Sequence, residues 1–147
     1  DYVILGALEV DVDYNVNVVV GSDGMIQGAP GGHVDTAAGS KVCIIVSPLI
    51  RGRLATVRTN VTSVTTPGES VDIVVTDYGV AINPLRQDLI DCLSKTDLPL
   101  VTIEELRDIA YSIVGEPKDI EFEENVVALV EYRDGTLIDV IRQPKNI

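Results

Sequence analysis

The residues with the widest chemical reach lie close together: a glycine-rich stretch holding the single histidine, GSDGMIQGAPGGHVDTAAG at 21–39, and an arginine bend, PLIRGR at 48–53. Consecutive glycines leave backbone N–H groups uncovered. At Gly31 and Gly32 such groups could meet the oxyanion that develops in acyl transfer from a thioester. His33 follows directly, and could serve as acid, base or hydrogen-bond donor, or serve the structure alone. Asp35 reads as a cap for the turn that follows. Arg51 and Arg53 flank a glycine, which suits two guanidinium groups projecting from a tight bend toward carboxylate or phosphate.

Several other chemistries are excluded or weakly supported. GAPGGH has the wrong spacing for a dinucleotide fingerprint, and no Gly-Lys-Ser/Thr completes a P-loop. A lone histidine without a second His or Cys beside it argues against a metal site. No Gly-x-Ser-x-Gly elbow points to a hydrolase triad. Cys43 sits inside VCIIV and reads as a small core residue. Neither it nor Cys92 belongs to a metal-type or redox-type pair. Asp72 and Asp77, in VDIVVTD, lie near a strand end, where α/β proteins often place functional carboxylates.

Charge is distributed unevenly. Residues 1–40 contain six acids and no Lys or Arg, whereas 36–68 contain Lys41, Arg51, Arg53 and Arg58 and no acid. A cationic island beside a glycine loop, in a chain of net charge −12, points to an anionic small molecule and away from nucleic acid; the same charges also suit an ordinary solvated surface. With 147 residues and 46% apolar composition the chain reads as one globular unit. It opens on Asp1 with an apolar pattern already running, which reads as a piece of a longer polypeptide. With no signal-like or membrane-spanning stretch, it is expected to be cytoplasmic.

The elements that must position these residues are strands at 3–8, 16–20, 41–47 and 71–76, each a β-branched run bounded by turn residues, with DVDYN as a tight turn between the first two. GGHVDTAAG is expected to open a short helix, and RQDLIDCLSK a surface helix. TIEEL carries a capping box, Thr102 with Glu105, followed by a buried stripe of Ile103, Leu106, Ile109, Ala110 and Ile113 and a stop at Gly115. NVVALVEY and TLIDVI flank Arg133, Asp134 and Gly135 as a hairpin. The alternation predicts an α/β layered domain.

The ordered succession LGALEVD, NVNV, GSDG, GGHVDTAAGSK, IIVSPLIRGR, VTTPGESVDIVVTDYGVAINP and VEYRDGTLIDVIRQ resembles the C-terminal part of citrate lyase alpha subunits, within the CoA-transferase superfamily. The resemblance spans essentially the whole chain. It implies an α/β fold, a CoA-transferase-like layered sheet with flanking helices and a C-terminal β-hairpin, with 1–147 as the second domain of a longer subunit. The implied activity is citrate CoA/ACP-transferase: acetate is exchanged for citrate on the thiol of an acyl carrier protein through an acyl anhydride, giving citryl-ACP from acetyl-ACP or acetyl-CoA. The implied partners are lyase (beta) and acyl carrier (gamma) subunits in an oligomer. No cofactor is expected on the chain itself, the CoA-derived prosthetic group being carried by the acyl carrier protein. Gly31 and Gly32 would be oxyanion donors, Arg51 and Arg53 carboxylate clamps, with Arg58 in the same island, and Asn17 and His33 positioners of the acyl group or citrate. Ala29 departs from the Gly-x-Gly-Gly of many relatives, and no Ser-Glu-Asn-Gly nucleophile segment is present. The alternatives are another CoA transferase or acyl-CoA hydrolase of the same fold, and a non-catalytic assembly domain.

Overall fold

The β-branched runs form strands, and polar side chains that capture nearby amides decide where those strands stop. The computed structural model describes residues 1–145. In chain order the elements are β1 (Tyr2–Leu5), β2 (Glu9–Asp11), β3 (Val16–Asn17), α1 (His33–Gly39), β4 (Val42–Val46), β5 (Ile50–Arg51), β6 (Leu54–Ala55) and β7 (Val57–Arg58). These are followed by β8 (Ile73–Thr76), β9 (Gly79–Ile82), α2 (Gln87–Leu93), α3 (Ile103–Val114), β10 (Phe122–Glu131) and β11 (Leu137–Pro144). The main sheet has the order β1-β4-β8-β9, with β9 alone antiparallel to its neighbour. A second sheet, β3-β2-β7, stands beside it, and β10 with β11 makes the expected C-terminal hairpin. The mixed α/β layering with flanking helices is as the sequence predicts.

Val3 and Leu5 of β1, with Cys43 and Ile45 of β4, pack into the core shared with α3 residues Ile103, Leu106 and Ala110. The opposite face of the same strands leaves Tyr2, Ile4 and Val46 exposed. On α3 the capping box forms in both directions. Its stripe continues by a four-residue step from Ala110 to the partly buried Val114, so Ile113, expected inside, is 52% exposed. The helix α2 buries none of its residues, in keeping with a surface helix.

Two strands are shorter than their apolar runs. The expected strand at 3–8 ends at Leu5, and the chain crosses through Gly6 to Leu8 into the second sheet. The expected strand at 16–20 is two residues long because Asn17 Oδ1 accepts the Val19 and Val20 amides and curls the backbone away from the ladder. The DVDYN turn works similarly: Asp11 Oδ1 accepts from the Asp13 and Asn15 amides, and Tyr14 takes the left-handed conformation at φ 64°. β9, not expected from the sequence, folds back on β8 through a turn in which Thr76 Oγ1 accepts the Tyr78 and Gly79 amides.

That DVDYN turn is clamped against the chain at Gly68, where an added Cβ would lie 1.9 Å from the Asp13 carbonyl oxygen. Gly28 has open space around it. Gly68→Ala is expected to cost about 2 kcal/mol or more in denaturant unfolding, and Gly28→Ala less than about 0.5 kcal/mol. Equal costs would show that the contact at Asp13 yields freely.

Candidate functional site

Pairing of β2 with β3 and β7 sets Glu9 opposite Asn17 and Asp11 beside Arg58. Glu9, Asn17 and Arg58 are all buried, so the cost of taking their polar groups out of water is offset by partners within the protein. Glu9 pairs with Arg58 Nη1 and also accepts from the Thr62 hydroxyl at 3.0 Å, the Thr62 amide at 2.7 Å and Asn17 Nδ2 at 2.8 Å. Asn17 Nδ2 also donates to the Val20 carbonyl at 2.7 Å.

Glu9, Val20 and Arg58 border a cleft of about 410 Å³. One wall is the first half of the glycine loop, including Gly21, Ser22, Asp23 and Gln27; another is the β5–β6 hairpin with Arg51, Leu54 and Ala55; Glu9, Thr56 and Arg58 form the floor, and Lys118 stands at the edge. Arg51 is exposed, and one nitrogen anchors it: Nη2 donates to the Ala7 carbonyl at 2.9 Å and to Ser47 Oγ at 3.3 Å. Among the described residues its Nε and Nη1 have no partner, which leaves two donors for an anion in the cleft.

The second half of the loop, residues 28–32, is exposed and lies outside the cleft lining. Gly31 takes φ 54°, and neither the Gly31 nor the Gly32 amide has a hydrogen-bond partner among the described residues. His33, read as an acid, base or hydrogen-bond donor or as a residue serving the structure alone, forms a latch. Its ring is buried, with Nδ1 2.7 Å from Thr66 Oγ1 and Nε2 3.0 Å from the Gly6 carbonyl. Because a carbonyl only accepts, Nε2 carries the proton and Nδ1 accepts from the threonine hydroxyl. Gly6 thus holds the histidine while Ala7, its neighbour, holds Arg51, so the glycine loop and the arginine bend share one anchoring crossing.

Other expectations are corrected. Arg53 is exposed but absent from the cleft lining, because Gly52, at φ 63°, reverses the chain in a two-residue hairpin and separates the faces of its two arginines. Arg58 is no free clamp, since its charge is matched by Glu9. Asn17 has all of its polar atoms engaged inside the protein and touches no open space. Asp35 makes no cap, as the N-cap of α1 is Gly32 and no side chain accepts there. Asp72 binds the Cys43 amide and Arg86, and Asp77 binds the Leu49 amide, so both strand-end carboxylates are structural. Burial pushes the Cys43 thiol up to about 12, with Asp72 adding to the effect, which fits a core residue and no nucleophile. Among the described residues no group of three or more His, Cys, Asp or Glu could hold a metal ion, and no helix is long and apolar enough to cross a membrane. The floor residue Thr56 gave no sequence signal, lying between apolar neighbours in LATV.

Burial holds the His33 pKa below the ordinary histidine value, partly opposed by the Gly6 hydrogen bond. The folded protein therefore favours neutral His33, and this stabilisation is complete above about pH 6.5 and is lost as pH falls through the lower folded-state value. Melting curves from pH 7.5 to 5 should show the parent losing stability relative to His33→Gln as pH falls. Parallel curves would contradict the latch.

The chain matches the family described as Citrate lyase, alpha subunit (CitF) over residues 1–144. It is 62% identical over 146 residues to the citrate lyase alpha chain of Haemophilus influenzae, covering 99% of this chain and 29% of that one. Against the citrate lyase alpha chain of Klebsiella pneumoniae the identity is 57% over 144 residues, with coverages of 98% and 28%. A crystal structure of a Streptococcus mutans protein, described as the alpha subunit of citrate lyase in complex with citrate, superposes with a TM-score of 0.97 at 53% identity, covering 99% of this chain and 29% of that one. A RipA structure, at 20% identity and a TM-score of 0.52 over 76% of this chain, shares the fold alone. The chain spans about 29% of the length of the curated relatives it matches. On the match over residues 1–144 and these identities, it belongs to the citrate lyase alpha subunit family.

Proposed function

We propose that this chain is the carboxyl-terminal, CoA-transferase-like domain of a longer alpha subunit, which moves an acyl carrier thiol from acetate to citrate. Acetyl-ACP and citrate would give citryl-ACP and acetate, the new thioester forming as the acetyl thioester breaks. The CoA-derived prosthetic group belongs to the carrier partner, and a separate lyase subunit in the same cytoplasmic complex consumes the citryl thioester. The observation that carries the reading is the near-identical fold of the citrate-bound Streptococcus mutans protein, joined to an arginine with two unengaged donors in the cleft.

In this reading Arg51 grips a carboxylate of citrate, and the exposed Gly31 and Gly32 amides meet a reacting carbonyl oxygen. His33 and Asn17 act as positioners: one fixes the loop to Gly6, the other shapes the cleft edge at Val20. Arg53 takes the lesser part, outside the lining.

A second reading, a non-catalytic assembly domain, draws on the apolar sheet face bearing Tyr2, Ile4 and Val46. It is favoured if the subunit docks lyase and carrier subunits yet gains no thermal stability from citrate.

Assays of the complete subunit with citrate, acetate and succinate, each against CoA and carrier-bound thioesters, should show citrate as the preferred acceptor. A preference for acetate or succinate would identify another CoA transferase of the same fold. Arg51→Met should raise the citrate KM about tenfold or more with little change in Tm. Arg53→Met should have the smaller effect. Unchanged kinetics in Arg51→Met would remove the clamp.

A further inference from the structure

The main sheet is apolar on both faces, and among the described residues one of those faces is bare over β1 and β4. The two strands read YVIL and VCIIV, continuous runs without a charged residue. Runs of that kind belong to strands buried on both sides, as the strands of parallel sheets are. β1, β4 and β8 are parallel, yet α1 and α3 both pack on the inner face, through Ala37 in the first and Ile103, Leu106 and Ala110 in the second. On the outer face Tyr2 is 75%, Ile4 60% and Val46 45% exposed, with Val42 and Ile44 half-buried beside them. Ile73, next to Ile44 on β8, is 6% exposed, so the bare part of the face lies over β1 and β4.

The chemistry of the face narrows what covers it. No charged or amide side chain interrupts Tyr2, Ile4, Val42, Ile44 and Val46, which is the composition of a permanent interface and not of a surface where a carrier docks and leaves. A second copy of this chain brings no helix to spare among the described residues: α3 spends its stripe on its own core, and α2 is seven residues, about 10 Å, long. The chain spans about 29% of the length of the citrate lyase alpha chains it matches, so most of a subunit of that length lies outside it. Polypeptide joined to the sheet reaches this face without the association cost that a separate subunit meets.

We propose that the outer face of β1 and β4 is covered by the part of the same subunit that precedes this chain, which supplies the layer missing from the sheet. The inference rests on the longer-subunit part of the reading above and not on its transfer chemistry. It leaves none of this face for lyase or carrier subunits, which counts against the assembly reading.

The test uses the complete subunit, purified without lyase and carrier subunits, carrying Ile4→Cys or Val46→Cys. Maleimide labelling of each new thiol is read by mass spectrometry of its own peptide, which keeps the exposed Cys92 out of the measurement. Labelling should be about a hundredfold or more slower in the folded subunit than in denaturant, because only a transient opening exposes a covered thiol. Tm is followed in parallel; if Ile4→Cys does not fold, Val46→Cys decides. Photocrosslinking from benzoylphenylalanine in place of Tyr2 should join that position to a peptide N-terminal to this chain, in a product with the mass of one subunit. Thiols that react within about threefold of the denatured rate overturn the cover. So does a crosslinked product with the mass of two subunits, or protection that needs added lyase or carrier subunits. The citrate transfer assay is independent of these readouts: transfer with freely reactive thiols removes the cover alone, and protected thiols without transfer remove the chemistry alone.

Discussion

A buried carboxylate must be fully surrounded by donors or it costs more than its neighbours return, and the Glu9 side chain is surrounded on every side. Its donors come from β3, β7 and the segment at Thr62, so one acid on β2 holds three pieces of chain in fixed relation. Asn17 extends the constraint. Bound to Glu9 on one side, it takes the Val19 and Val20 amides on the other and so turns the backbone out of the sheet into the glycine loop. The floor and the rim of the cleft are thus both consequences of one ionised group.

The crossing at Gly6 and Ala7 is the second fixed point. Its two carbonyls take the His33 ring and the Arg51 guanidinium, with Ser47 adding a longer contact to Ala7 at 3.4 Å. A loop rich in glycine has little side-chain packing of its own to hold it. Here one end is held by Asn17 and the other by a neutral histidine, leaving residues 28–32 open between them. An exposed backbone between two rigid anchors suits a segment that must meet a ligand without reorganising.

The sequence discloses elements whose signals are local. The Thr102 and Glu105 capping box, the helix opening at the glycine pair, and the hairpin at Arg133 to Gly135 each depend on residues within a few positions of one another. Arg51 is legible for the same reason, its bend being set by the adjacent Gly52. What is illegible depends on distant partners. His33 becomes a latch only through Gly6 and Thr66, 27 and 33 residues away, and Arg58 is claimed by Glu9, 49 residues away. Arg53 looks equivalent to Arg51 by spacing, yet a turn with positive φ between them destroys the equivalence. Asp72 and Asp77 likewise look functional at a strand end until the Cys43 and Leu49 amides fill them.

The cleft combines a fixed floor, a rim set by the same carboxylate and one arginine with donors to spare, which is an arrangement for gripping an anion against a rigid surface. Everything in it depends on the partnership of Glu9 with Arg58, and a double-mutant cycle in denaturant unfolding of the complete subunit measures that partnership. Arg58→Met alone should cost about 3 to 5 kcal/mol by stranding the Glu9 charge, and adding Glu9→Gln should recover a large share of that loss. Costs that simply add, or an Arg58→Met variant as stable as the parent, would contradict the account.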